Sequence, residues 1–393
     1  MAQALPPRPN LDWLRKSAKQ KLARLRAQSP TIRLAQAQLE LAREYGFASW
    51  RSLKVHIDKL LSAPDDEPRL EDAAIADFLR AVGNGDLTAV RSTVAAHPSI
   101  VNVIGPHPFW GGRVQALHVA VDTNRRDVFD LLLDHGADVD GDNREYSGWS
   151  PLMLAAYKQR IGMQQVLVES GAKIGLFEAL LLGDDARVER ILRPGAGALP
   201  RDRRGMDSLL HLARTPYAID RLLELGESRH ARDYWNESPV GAMCKLGTAA
   251  AGLVRHLQKH GFQVTAEEFA RLGDLDSLAT LHAKNPSFVH RDEVLVKAID
   301  SGSVELVSWL LERGANANAR SSFGSQCMAL HSAAWNGNLA ITKVLVTAGA
   351  DLRGLDVEHR NTPSGYARVA RRITNNADCD TVAGYLEDLE RNR

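Results

Sequence analysis

The chain has 393 residues, with 49 Lys and Arg against 48 Asp and Glu and a formal charge of +1. That length exceeds a usual single core, so a long repeat array or two domains is expected, and the even charge balance gives no broad basic field to draw nucleic acid or an anionic membrane. No apolar run approaches a transmembrane span, the N-terminus lacks an apolar signal region, and Cys244, Cys327 and Cys379 are too scattered for a disulfide frame or a CxxC metal site, which predicts a reduced, cytoplasmic protein.

Residues 1–10 are Pro-rich and read as extended or frayed. Residues 11–61 are basic and helical in pattern, roughly three helices. Leu11, Leu14 and Ala18 space one face, and Leu34, Ala37, Leu41 and Ala42 another. Gly46 stops that helix, and Ser49 can cap the next. The Arg and Lys residues of this part lack interleaved aromatics and read as a solvated helix face. Residues 1–63 are therefore taken as an N-terminal helical module and 64–75 as a linker, on the stretch 62–69 with its two prolines and four charges.

From residue 76 onward the chain reads as better or worse copies of Ala116–Asp140. Leu117, Ala120 and Val121 space one short helix face; Val128, Leu131 and Leu132 space a second; Gly136 ends it. Helices this short are not stable alone, so each pair must bury its faces against another pair. Similar stretches run over 149–174, 293–319 and 329–352, and Gly302 and Gly337 repeat at a ~35-residue period. Phe78 opens the array, and a long Pro/Gly-rich connection follows at 103–115. The units at 176–199, 206–232 and 237–265 are degenerate, and residues 362–393 form a charged C-terminal cap. The count is about nine units.

Ser150-Pro151-Leu152, Ala116-Leu117-His118 and Ala329-Leu330-His331 resemble the T-P-L-H-x-A-A pattern of ankyrin repeats. Gly136-Ala137-Asp138-Val139-Asp140, Gly314-Ala315-Asn316-Ala317-Asn318 and Gly349-Ala350-Asp351-Leu352 resemble that family's repeat ending. The resemblance implies an all-α solenoid of helix-turn-helix units with finger loops over 76–393. It also implies that His118, His211 and His331 bridge backbone groups of adjacent repeats. The run AREYGFASWRSLKVHI resembles a helical module found ahead of such repeats in bacterial proteins.

Motifs for chemistry fail on their spacing. Asp138-x-Asp140-x-Asp142 with Glu145 begins like a calcium loop, but the required Gly and twelfth-position carboxylate are Asn143 and Trp149. His290-Arg291-Asp292 lacks the Asn of a kinase catalytic loop, which is Lys297 here. His256 and His260 lack the Glu of H-E-x-x-H, and His260 precedes Gly261 as His135 precedes Gly136, a helix-end position. Ser150 has Leu152 in place of a nucleophile elbow's second Gly. No metal and no cofactor are expected.

Aromatics and acids cluster just before the first helices: Phe109, Trp110, Glu145, Tyr146, Trp149, Tyr234, Trp235, Glu237 and Phe323, with Tyr157 and Trp335 in first helices. The family's geometry would set them on the fingers and inner curve, as anchors for a ligand, or pack some beneath long fingers. The resemblance implies a monomeric recognition scaffold for a partner protein, with no nucleic acid or membrane. The alternative is an enzyme or small-ligand binder whose fingers close the groove over a sugar-like or cationic ligand, with Asp142, Glu145 and Glu237 as acid/base candidates.

Overall fold

The computed structural model describes residues 34–47, 72–109, 112–141, 148–193, 208–233, 237–322 and 326–392, together with 18, 21, 22, 25, 50, 53 and 199. The chain forms two compact units, Met1–Glu71 and Asp72–Arg393.

In the first unit, α1 spans Leu34–Glu44, and Gly46 takes φ 83° just beyond it, as its sequence predicts. Leu41 and Ala42 bury with Ala18 and Leu53, and Tyr45, Phe47 and Trp50 pack against them. Lys21 pairs with Glu44 at 2.5 Å. Ser49 lies outside the described residues.

The second unit is a succession of helix pairs. Its helices are α2 (Asp72–Asn84), α3 (Leu87–Ala96), α4 (Ala116–Asp122), α5 (Arg126–Asp134), α6 (Pro151–Tyr157), α7 (Ile161–Glu169), α8 (Leu176–Leu182), α9 (Asp185–Ile191) and α10 (Pro216–Glu224). They continue as α11 (Pro239–Cys244), α12 (Ala251–Lys259), α13 (Ala266–Leu272), α14 (Leu275–Lys284), α15 (Asp292–Asp300), α16 (Val304–Glu312), α17 (Ala329–Trp335), α18 (Leu339–Thr347), α19 (Pro363–Thr374) and α20 (Asp378–Asn392). In the fifth pair a short 3₁₀ turn, Leu209–Leu212, replaces the first helix. A minimal antiparallel hairpin, β1 (Gly105–Pro106) with β2 (Arg113–Val114), pairs Gly105 with Val114 and forms the finger of the second pair.

Local chemistry explains the pairing. Each first helix runs into a tight turn through the left-handed region, supplied by Gly85, Gly183, Gly247, Gly273, Gly302 and Gly337, or at strained cost by Asn124, Gln159 and Asn375. At Gly337 a Cβ would also meet the backbone nitrogen of Cys379 at 3.1 Å. In several repeats an Asp or Asn then caps the second helix: Asp86 accepts from the Ala89 N–H at 2.9 Å, and Asn338 from Ile341 at 3.0 Å. The apolar stripes bury between neighbours, as Leu295, Leu306, Leu330, Ile341 and Leu386 do in one continuous core.

The first helices stack in chain order, α2, α4, α6, α8, the 3₁₀ turn, α11, α13, α15, α17 and α19. The stack does not stay open. Helix α19 returns to α2, and Arg125 donates to the Gly83 carbonyl at 3.0 Å and to the Arg372 carbonyl. The Arg372 guanidinium lies 5.8 Å from the Phe109 ring centre, and Asn375 reaches the Asn124 carbonyl at 3.5 Å. Within this unit the inner helices thus form a ring, and the open inner curve expected of a solenoid is closed along a seam between its two ends.

Candidate functional site: the inner face of the helix ring

Two devices knit the inner face. One is the imidazole. His118 Nε2 lies 3.0 Å from the Trp149 carbonyl, His211 Nε2 3.0 Å from that of Glu237, and His331 Nε2 2.9 Å from that of Asn361. Each acceptor immediately precedes the cap of the next first helix: Ser150, Ser238 or Thr362. The Met328 N–H donates to His331 Nδ1, so Nε2 carries that ring's proton. Burial lowers the His331 pKa below its ordinary 6.5, against the pull of the Asn361 carbonyl. All three histidines are buried and structural in contact.

The second device is a carboxylate that the sequence reading missed. Ser150 Oγ donates to Glu178 at 2.8 Å, and Ser238 Oγ to Glu268 at 2.5 Å. Each glutamate also accepts its own N-cap N–H, from Gly175 at 3.0 Å or Thr265 at 2.8 Å. Thr265-x-x-Glu268 is a capping box, and that spacing was the available signal.

A cavity of about 920 Å³ opens where the first helices end, its walls coming from the turns after α4, α6, α11, α13, α15, α17 and α19. Arg160, Lys245 and Arg271 face it against one carboxylate, Asp300, with Asn124, Asn336 and Asn375 between them. A relay of ion pairs supports this wall. Lys245 donates to the Tyr157 hydroxyl at 3.0 Å and pairs with Glu237 at 2.5 Å; Arg271 pairs with Glu237 at 2.7 Å and reaches Asp300 at 3.5 Å. Burial works to raise the Glu237 carboxyl, but Lys245 and Arg271 outweigh it and hold it below the carboxylate range. Glu237 therefore stays ionised, a state that removes it as a proton donor and ties its charge to the two cations. Burial raises the Asp300 carboxyl, with Arg271 opposing. Buried Asp122 faces His107 at 3.2 Å and pairs with Lys158; these contacts override burial and lower its pKa. Arg160 Nε is buried and meets no acceptor among the described residues, and burial lowers its pKa. Cys244 also lines the cavity, but burial pushes its thiol up to about 12, leaving it without nucleophilic thiolate at neutral pH.

A second cavity of about 600 Å³ adjoins the first, sharing Asp300, Trp335 and Asn336. It brings together two predicted aromatics, Phe109 and Trp335, with Tyr366, which the sequence reading did not single out. Tyr366 stacks edge-on against His331 at 4.7 Å and Trp335 at 6.1 Å. Tyr157 does not line the first cavity itself and touches its wall only through Lys245. Trp149 does not reach either: it is 1% exposed and packs edge-on against Tyr157 at 5.0 Å, so it is core and not a ligand anchor. Trp110, Tyr146, Tyr234, Trp235, Phe323, Asp142 and Glu145 lie outside the described residues.

Ankyrin-repeat family models match residues 78–178 and 295–346. The B-cell lymphoma 3 protein homolog of Mus musculus is 30% identical over 193 residues, 47% of this chain and 38% of that protein. The E3 ubiquitin-protein ligase XB3 of Oryza sativa subsp. japonica is 35% identical over 104 residues, 26% of this chain and 22% of that one. The putative E3 ubiquitin-protein ligase XBAT31 of Arabidopsis thaliana is 34% identical over 96 residues, 24% of this chain and 20% of that one. This chain thus spans well under half the length of these relatives. Among solved structures, the ankyrin repeat domain of Bcl-3, described as a member of the IkappaB protein family, aligns with 65% of this chain and 95% of its own at 24% identity, with a TM-score of 0.23. The chain carries ankyrin repeats, and its fold is an all-helical ankyrin-repeat array. No helix among the described residues is long and apolar enough to cross a membrane.

Proposed function

We propose that this chain is a recognition scaffold for a partner protein, and that the partner presents an acidic, extended segment to the inner cavity. The ankyrin repeats and the likeness to the lymphoma 3 homolog support a protein-interaction scaffold. The observation that carries the acidic segment is the cavity wall: three cations face one carboxylate, and a buried guanidinium nitrogen of Arg160 lacks an acceptor among the described residues. A carboxylate entering there would meet the Arg160, Lys245 and Arg271 side chains that line the wall. The asparagines supply donors and acceptors for an extended backbone, and a preformed ring lowers the ordering cost of capture.

Affinity capture from the native host's lysate tests this. Arg160→Glu should lose the partner that the unaltered chain retains, and polyglutamate should compete it away. Arg126→Glu, on the outer helix α5, should retain it. Equal capture by Arg160→Glu and the unaltered chain would refute the acidic segment as the recognised feature.

A small-molecule reading is favoured by the second cavity, whose volume and aromatic lining suit a compact ligand. The cationic wall of the adjoining first cavity favours an anionic group on any ligand that reaches across both, away from the cationic or sugar-like class. We further propose a monomer in the cytoplasm, where three free cysteines fit a reducing compartment. The N-terminal helical module at 1–63, its linker at 64–75 and a bacterial origin are proposed on sequence pattern; the relatives above come from mouse, rice and Arabidopsis.

A further inference from the structure

The outer layer carries a cluster that the recognition reading leaves unused. His256 stands on α12 and His260 caps that helix's C-terminus, four residues on, so both rings leave the same face. Asp220 comes from α10, the outer helix of the preceding pair. His256 Nε2 lies 2.6 Å and His260 Nε2 2.7 Å from the same Asp220 oxygen, and the two rings meet edge-on with centres 5.0 Å apart. One ligand atom from each residue lies within 4.8 Å of the others. The helix-end analogy with His135 explains the position and not the partner: His135 Nδ1 turns back to its own helix at the Leu131 carbonyl, 2.8 Å away, whereas His260 reaches across to another repeat.

We propose that Asp220, His256 and His260 form a zinc(II) site that joins the outer helices of the fifth and sixth repeats. Two imidazoles and a carboxylate are a donor set zinc favours, and three protein ligands leave a fourth position for water. A tetrahedral ion with bonds of about 2.0–2.1 Å holds its ligand atoms about 3.3 Å apart. The histidine–aspartate contacts must therefore widen by less than about 1 Å, within reach of side-chain rotation. Without metal, both imidazole Nε2 groups can donate to one carboxylate oxygen; with metal, each Nε2 becomes a ligand and its proton moves to Nδ1. The side chains are 44%, 21% and 33% exposed for Asp220, His256 and His260, which gives the ion access from solvent. The location has structural sense. The fifth repeat has only the 3₁₀ turn Leu209–Leu212 in its inner layer, and a metal clip on the outer layer would reinforce the repeat with the least helix to pack.

The sequence reading set this pair aside because H-E-x-x-H was incomplete. The third ligand is 36 residues upstream of His256, on a different repeat, where no linear motif finds it.

The test is zinc titration of the full chain, free of any histidine tag and stripped by chelator, against a chromophoric competitor. Cobalt(II) substitution reports geometry. The expected result is one equivalent of zinc per chain, an intense tetrahedral cobalt absorption, and a melting temperature that rises saturably with zinc. Asp220→Asn and the double variant His256→Ala/His260→Ala should lose the equivalent, the cobalt band and the thermal shift. His135→Ala should keep all three. Circular dichroism in chelator checks that each variant folds, and Asp220→Asn preserves side-chain shape should the double variant not fold. An unaltered chain that takes up no zinc, or a folded double variant that keeps its equivalent, overturns the proposal.

Discussion

The repeat at Ala329–Thr347 and those beginning at Gly175 and Thr265 meet the same requirement with opposite chemistry. In the first, a neutral imidazole on repeat n reaches forward: His331 donates to the backbone of the next hairpin. In the others, a carboxylate on repeat n+1 reaches back: Glu178 and Glu268 accept from serines of the preceding repeat and from their own caps. The sixth repeat uses both, receiving His211 at the Glu237 carbonyl and giving Ser238 to Glu268; the third does likewise with His118 and Glu178. Repeats stack only if the polar ends of their inner helices are satisfied across the joint. Any group that does so serves, which is why the degenerate middle can depart from the family pattern and remain stacked.

The largest test of that comparison lies beneath the bridges. Trp149 carries the carbonyl that His118 bridges, and its ring is fully buried. Trp149→Ala should cost about 3–5 kcal/mol in urea unfolding, the usual range for emptying a buried aromatic site. An unchanged stability would return Trp149 to the list of ligand anchors.

Next is the hairpin that receives His331. Buried Asp356 accepts backbone N–H groups from His359 at 2.8 Å and Asn361 at 2.7 Å. Burial opposes its charge, but these bonds prevail and hold its pKa at about 2. Asp356→Ala should cost about 1–3 kcal/mol, because two half-buried backbone donors lose an ionised acceptor. The folded pKa is depressed, so this contribution is present above about pH 4 and is lost as pH falls towards 2. An acid-unfolding curve unchanged in the variant would count against it.

The bridges themselves follow. His331→Ala should cost about 1–3 kcal/mol and Glu268→Gln about 1 kcal/mol, since glutamine keeps one acceptor. Their pH dependence separates them. The folded pKa of His331 is depressed below 6.5, so the unfolded chain binds more protons there, and the stabilisation is complete above that pH and lost as pH falls below it. Stability measured from pH 7 to 5 should decline less steeply in His331→Ala than in the unaltered chain. A slope that does not change would mean that the bridge persists when the ring is protonated.

Much of the array was legible because its signals are local. Gly46, the turn glycines, the cap residues and the three repeat histidines act through neighbours within one helix pair or the next, and a repeating pattern exposes them. The inner cavity was legible only in part. Phe109 and Trp335 share a cavity because the ring closes, yet the bond that closes it joins residues 247 apart and ends on the Arg372 carbonyl, an atom every residue possesses. The cations of the wall carry no motif, and only the turns that face one another across the ring bring them together. Glu237 was noticed as an acid, but Lys245 and Arg271, which decide its state, belong to different helices and carry no motif.

The seam gives the smallest expected energy and the most direct reading of how the two ends depend on each other. Phe109 stands on the second repeat's finger and Arg372 on the last inner helix, their contact a cation–π pair at 5.8 Å. Such a contact is worth about 0.5–2 kcal/mol, so Phe109→Ala should shift global stability little. Each end is already packed on its own neighbour, and the seam adds closure on top of a complete stack. Its loss should therefore show locally: faster amide hydrogen exchange in α19 and at Arg125, with α6 and α15 unchanged. Scattering should report a larger radius of gyration if the ends separate. Uniform acceleration across all helices would instead make the seam part of the common core, and the ring a single cooperative body with no separable joint.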